Sequence, residues 1–306
     1  MAEPITVRAA ADRMGLGARS RVYRPPRARR AVVRALEMVA LLLIALFVIV
    51  PIWPTLVLAL DASVPGFPDE LRLWPGDLSL QVFVDVWIAP TRELSYLGLL
   101  RNSLIVAGGA ALISLVFGIT MAYAFARLRF PGRRVGQGII LVGSLLPFVA
   151  LMTPLFLLLS VIGIRSSLLG LMIVYAAFSL PLAVWLTRAS FSAVPEDLEA
   201  TAFVDGAGRL TTFLRITLPL ALPSILVAAV IAFLIGYSEF AIGWLFVTKG
   251  EDVTLAMALW GPEIREGGAF ARLAALCVLM TIPVILIFVV LQRRMLRDVR
   301  TGLLEG

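Results

Sequence analysis

Long apolar runs alternate with short polar stretches along most of the chain. Six such runs stand out, at 38–60, 102–126, 135–164, 166–187, about 221–248, and 273–292. The first four carry no charge, the fifth contains one acid, Glu239, and Pro283 interrupts the sixth. A helix rises 1.5 Å per residue, so about 20 apolar residues cross the hydrocarbon core of a bilayer. Each run reaches that length. Only Arg165 separates the third run from the fourth, in Gly163-Ile164-Arg165-Ser166-Ser167, so a tight turn must join them. The pattern predicts an all-α, polytopic membrane protein with six transmembrane helices.

Charge sets the orientation of that bundle. Cytoplasmic segments of membrane proteins are enriched in Lys and Arg. With both termini inside, 20 of the 27 basic residues fall on the cytoplasmic side, nine of them in the tail 1–37. The expected topology is therefore N-in, C-in, with a basic tail 1–37, a six-helix domain 38–292 and a C-terminal tail 293–306. Attraction of that tail to anionic inner-leaflet lipid accounts for the net charge of +7, and nucleic acid need not be invoked. The first apolar run is too long for a signal peptide, whose apolar region spans about 7–15 residues. Trp53, Trp74, Trp87 and Trp244 fall at or near the external side, where indoles anchor helices at the interface. Prolines inside several runs are expected to kink helices whose freed carbonyls find donors on neighbours.

Composition then excludes chemistry. The chain has no histidine, so the commonest general base and metal ligand are missing. Its single cysteine, Cys277, can form no internal disulfide and no thiolate metal site. No cofactor is expected. Neither is an enzyme, since no clustered acids or nucleophile–base pair appear.

One cytoplasmic stretch differs from the rest. Between the fourth and fifth runs lies 195–219, opening with Pro195, Glu196, Asp197 and Glu199, which reads as a helix start with acids at the positive end of the dipole. Gly206 and Gly208 break that helix. Asp205 is expected to cap a second one. Leu210, Phe213 and Leu214 follow at i, i+3, i+4 as an apolar stripe. Pro219 and Pro223 lead into the fifth run. A surface helix–turn–helix with an acidic edge and an apolar stripe suits docking to a soluble partner.

This stretch resembles the signature loop of the membrane subunits of binding-protein-dependent ABC importers. That loop begins Glu-Ala-Ala, reaches a Gly and continues nine residues later to Ile-x-Leu-Pro. Here Asp205-Gly206-Ala207 forms the core, and nine residues separate Gly206 from Ile216, with Leu218 and Pro219 following. The front departs from the pattern: the family's Glu falls on Ala200, and Glu199 lies one position earlier. Further likeness is to the carbohydrate, maltose-permease branch. It rests on Ala124-Phe125-Ala126-Arg127-Leu128-Arg129-Phe130-Pro131-Gly132-Arg133, Leu180-Pro181, Tyr237-Ser238-Glu239-Phe240 and the C-terminal Gly302-Leu303-Leu304-Glu305-Gly306.

The resemblance implies a permease subunit in a bacterial cytoplasmic (inner) membrane, with a coupling helix between the fourth and fifth spans. Its implied partners are a second permease subunit, two ATP-binding subunits, an extracytoplasmic solute-binding protein and a sugar. Glu199, Ala200, Asp205, Gly206, Ala207, Ile216, Leu218 and Pro219 would form the contact with the ATPase. The chain has no Gly-x-x-x-x-Gly-Lys-Ser/Thr phosphate loop, so ATP chemistry is expected on another chain. Glu239, with Ser238 and Tyr237, is a candidate for the translocation path. Glu239 could instead brace helices through Tyr237, Ser238 or the other permease subunit. The polar segment 249–268 could reach the binding protein or simply connect two spans. The competing functions are a permease for a non-carbohydrate solute and a secondary transporter, the latter usually richer in paired intramembrane charges.

Overall fold

The computed structural model describes residues 27–61, 63, 72–261 and 270–304 and divides into two units, Met1–Ile52 and Trp53–Gly306. Most of the basic tail, part of the segment 249–268 and the last two residues of the C-terminal motif lie outside the described residues. Helix α1 spans Arg27–Ala59. The end of the stretch read as a tail, 27–37, is therefore helical. The apolar side chains of its first unit, such as Leu42 and Phe47, are exposed, as lipid-facing residues are.

Within the second unit, three helices make the centre: α3 (Tyr96–Arg127), α6 (Leu168–Ala193) and α9 (Leu218–Ser238), after a short α2 (Gln81–Ile88). In lipid, apolar burial gives little drive for helix association, so close backbone approach matters. The sequence supplies it with Ala107, Ala110, Ser114, Gly118 and Ala122 on α3, Ala176, Ser179 and Ala183 on α6, and Ala221, Ala228, Ala232 and Gly236 on α9, all buried. A Cβ placed on Gly236 would lie 3.1 Å from the Cα of Ala107, and one on Gly118 would lie 3.0 Å from the Cβ of Ala183. Helix α12 (Phe270–Leu304) extends beyond the expected sixth span. Pro283 lacks the N–H that would bond the Leu279 carbonyl, and the Tyr96 hydroxyl donates to that oxygen at 2.9 Å. Tyr237 donates to the next carbonyl, Met280, at 3.0 Å.

Among the described residues five helices are long and apolar enough to cross a membrane, or six if one bent pair counts as a single span. That pair occupies the third run read from the sequence, which is broken into two helices. It consists of α4 (Arg133–Leu145) and α5 (Phe148–Ile162), bent by more than 40° at the break. Pro147 forces Leu146 out of the helical region, to ψ 127°, and so ends α4. The turn from α5 to α6 is tight, as anticipated. Gly163 takes φ +82° at the end of α5, Ser167 caps α6 by accepting from the Gly170 amide at 3.1 Å, and Arg165 stacks over the Phe156 ring. The fifth run also departs from expectation. Its helix ends at Ser238, and a separate short helix, α10 (Ala241–Phe246), follows. A 3₁₀ turn (Gly250–Asp252) and α11 (Leu255–Ala258) then fold back onto α3, where Asn102 donates to the carbonyls of Glu251 and Val253 and Ser103 accepts from the Leu255 amide.

Beyond α1, Asp61 organises the connector to α2. Its carboxylate is 1% exposed and accepts from the Ser63 amide and hydroxyl and from the amides of Gly76 and Asp77, with Arg72 at 3.4 Å. Burial by itself would raise its pKa, but the donors of Gly76, Ser63 and Asp77 outweigh it and hold the carboxyl well below the usual carboxylate range. A folded pKa below the unfolded one gives stability that is complete at neutral pH and lost only as pH falls below about 4. Protection of the Gly76 and Asp77 amides from hydrogen exchange is therefore expected to hold from pH 7 to about pH 5 and to decline below about 4. Asp61→Asn should weaken it throughout. Loss of protection already above pH 5 would contradict this account.

Candidate functional site

The stretch 195–219 folds as two helices around a tight turn. Pro195 precedes α7 (Glu196–Val204), whose first turn holds Glu196, Asp197 and Glu199. The turn after α7 is fixed by Gly206 at φ +86°. The Gly206 amide donates to the Phe203 carbonyl at 3.1 Å and the Ala207 amide to the Ala202 carbonyl at 2.9 Å. These paired bonds satisfy the last carbonyls of α7, and they need a residue in the left-handed region, which glycine adopts without penalty. This corrects the expectation that Asp205 caps the second helix: it ends the first, because Gly206 reverses the chain immediately after it, and Gly208 stands at the start of the second. Gly208, in extended conformation, precedes α8 (Arg209–Thr212).

Between α8 and α9 the backbone widens into one π turn, Phe213–Thr217. Pro219 explains it. Its ring would collide with the Arg215 carbonyl in a regular helix, and the wider turn relieves that collision. The expected apolar stripe is divided here. Leu210 and Leu214 are exposed, whereas Phe213 turns inward, its ring centroid 4.6 Å from that of Tyr123 and 6.1 Å from that of Phe191.

Position 199 differs from its neighbours in direction. Ala200, Asp205, Gly206 and Pro219 are exposed, and Ala207, Ile216 and Leu218 are half-buried. Glu199 is buried and bound within the chain. Its Oε1 accepts from Arg127 Nε at 3.1 Å and from the Thr217 hydroxyl at 2.7 Å. Arg127 also donates through Nη2 to the Val194 carbonyl and reaches Glu196 at 3.6 Å. The outward face at Ala200 thus lacks an acid, and Glu199 does not occupy it. What the segment presents outward is apolar and acidic: Val204 is 87% exposed and Leu210 69%, and Glu196, Asp197 and Asp205 are exposed as well. Tyr123 and Thr217 were not singled out from sequence. Arg127 was quoted there only as part of the loop that resembles the carbohydrate branch, and its pairing with Glu199, 72 residues away, was not anticipated.

The second candidate group sits where α9 stops. Glu239 leaves the helical region at ψ 130°, and its carboxylate turns onto α10, accepting from the Ile242 amide at 3.1 Å and the Gly243 amide at 3.4 Å. The Tyr175 hydroxyl, from α6, donates to the same group at 2.7 Å. Glu239 thus pairs with Tyr175, not with Tyr237 or Ser238. Tyr237 is buried with its hydroxyl on Met280, and Ser238, which is exposed, bonds the Leu234 carbonyl within its own helix. Nearby, Thr91, Trp244, Thr248, Lys249 and Val253 line an open cleft of about 200 Å³. Among the described residues no cluster of His, Cys, Asp and Glu could hold a metal.

Residues 114–301 match the model of a family described as binding-protein-dependent transport system inner membrane component. The chain is 36% identical over 205 residues to a putative ABC transporter permease protein, ORF1, of Streptomyces antibioticus, covering 67% of this chain and 90% of that one. It is 30% identical over 263 residues to the trehalose transport system permease protein SugB of Mycobacterium tuberculosis, covering 81% and 96%. Its fold is similar to a chain of a bacterial ABC transporter involved in import of the acidic polysaccharide alginate, with a TM-score of 0.70 at 21% identity, covering 89% of this chain and 99% of that one.

Proposed function

We propose, from the premise that this chain belongs to the family of binding-protein-dependent transport system inner membrane components, that it is the permease subunit of an ATP-driven importer of a sugar or oligosaccharide in the inner membrane. The stretch 195–219 would dock in a separate ATPase. The observation that carries this reading is the exposed turn around Gly206, rigidly formed at the end of α7 and continuous through the π turn with the spanning helix α9. A lever needs a stiff arm and an outward contact face, and this segment has both. Both termini would be cytoplasmic, which the distribution of basic residues supports. A second permease subunit, two ATPase subunits and an extracytoplasmic binding protein would complete the assembly, and the segment 249–268 would face that binding protein.

Within this reading the geometry favours Glu239 as a brace between α6, α9 and α10, since its acceptor positions are occupied by donors of this chain. Ser238 keeps an exposed position toward a path.

Co-purification in mild detergent, followed by reconstitution of the intact complex, tests the proposal. ATP-dependent uptake of trehalose, maltose or an alginate oligosaccharide, requiring the binding protein, is the expected result. Uptake of a polyamine, phosphate ester or peptide with none of the sugars would overturn the sugar class. Uptake driven by an ion gradient without any ATPase would overturn the reading as a whole.

A further inference from the structure

The coupling segment is joined covalently to only two of the three central helices. It leaves α6 through Val194 and Pro195 and enters α9 through the π turn. Helix α3, which packs against both, has no peptide connection to it. Its hydrogen-bonded link is the end residue Arg127, and one turn earlier the Tyr123 ring packs against Phe213. At that point the ends of all three helices are tied together by one carboxylate and one guanidinium. Arg127 of α3 and Thr217 at the start of α9 share Glu199 Oε1, while the same guanidinium holds Val194 at the end of α6. Both charged side chains are nearly inaccessible, 7% and 9% exposed. A surface ion pair would be screened and floppy; a planar guanidinium forked between two buried acceptors fixes direction as well as distance.

We propose that Arg127 is a positioning residue that clasps α3 to the coupling segment through Glu199, so that displacement of the segment moves the three central helices together. This rests on the reading of 195–219 as the ATPase-coupling segment. In the clasp, Thr217 supplies the second donor. Loss of either donor leaves the outward face at Val204, Gly206 and Leu210 unaltered. Docking survives while transmission to α3 fails.

The intact reconstituted complex provides the test, with three readouts: ATPase retained on purification, hydrolysis rate, and solute imported per ATP hydrolysed. Arg127→Gln and Thr217→Val are expected to retain the ATPase and continue hydrolysis while solute per ATP falls roughly fivefold or more. Thr217→Ser, which keeps the hydroxyl, should restore the parent ratio. An unchanged ratio in Thr217→Val overturns the clasp, as does loss of ATPase binding in that variant. If Arg127→Gln fails to assemble, the Thr217 pair decides. Failure of the underlying reading looks different: Gly206→Glu would then retain both ATPase and uptake, whatever the clasp variants do.

Discussion

Gly206→Glu is expected to abolish solute uptake while the amount of chain in the membrane stays near that of the parent. The substituted residue must hold φ +86° to keep the two bonds that close the end of α7. For an L-residue this costs roughly 1–2 kcal/mol. No atom lies within 4 Å of a Cβ built there, so strain is not compounded by a clash. Folded domains hold about 5–15 kcal/mol in reserve, so insertion and folding survive. The contact face does not. A carboxylate would stand in the chain between exposed Val204 and Leu210, beside Asp205, in the part of the turn that the proposed docking would desolvate. A charge buried without a partner in an interface costs several kcal/mol, enough to dissociate a complex of ordinary affinity. Gly206→Ala carries the strain without the charge and should retain partial uptake. Asp205→Arg inverts charge on the same face without strain and should match the glutamate variant. Uptake assays alongside immunoblots of the membrane fraction check this; normal uptake by Gly206→Glu would refute it.

Glu239→Ala should destabilise the solubilised chain far more than Glu239→Gln. Alanine removes the acceptor of the Tyr175 hydroxyl and of the Ile242 and Gly243 amides, in a part of the bundle where Tyr175 is 1% exposed. Each buried donor left unpaired costs about 1–3 kcal/mol. Summed over the better-formed bonds, the loss corresponds to a fall in Tm of about 5–10 °C. Glutamine retains one acceptor oxygen and should lose less than half as much. A thermal-shift series in detergent measures this, with uptake of several sugars measured in parallel. A changed sugar preference at unaltered stability would identify Glu239 with the solute path instead of the brace.

The helical, membrane-spanning class was legible because spanning helices are written in one dimension: run length and missing charge need no tertiary information. The broken third run was less legible, although Pro147 stood in it, because proline within a membrane helix kinks or breaks it according to what its neighbours can satisfy. Pro181 stays within α6, whereas Pro147 ends α4. The end of α9 at Ser238 was hidden for a related reason. The apolar run continues to Thr248, and only the capture of Glu239 by Tyr175 and the α10 amides divides it. At the candidate site, Gly206 and the acids of α7 were readable from local chemistry. The inward direction of Glu199 was not, since its partners Arg127 and Thr217 lie 72 and 18 residues away.

The alanine and glycine seams have a mechanical consequence. With Gly236 laid against the Ala107 backbone and Gly118 against the Ala183 methyl, little pliable side chain is left at these contacts to shear. Such seams resist sliding by even one helical turn, because larger residues would enter sockets sized for hydrogen or methyl. Conformational work applied to this core is therefore expressed as tilting of a stiff block, and compliance is concentrated at its margins, where Pro147 already supplies a joint.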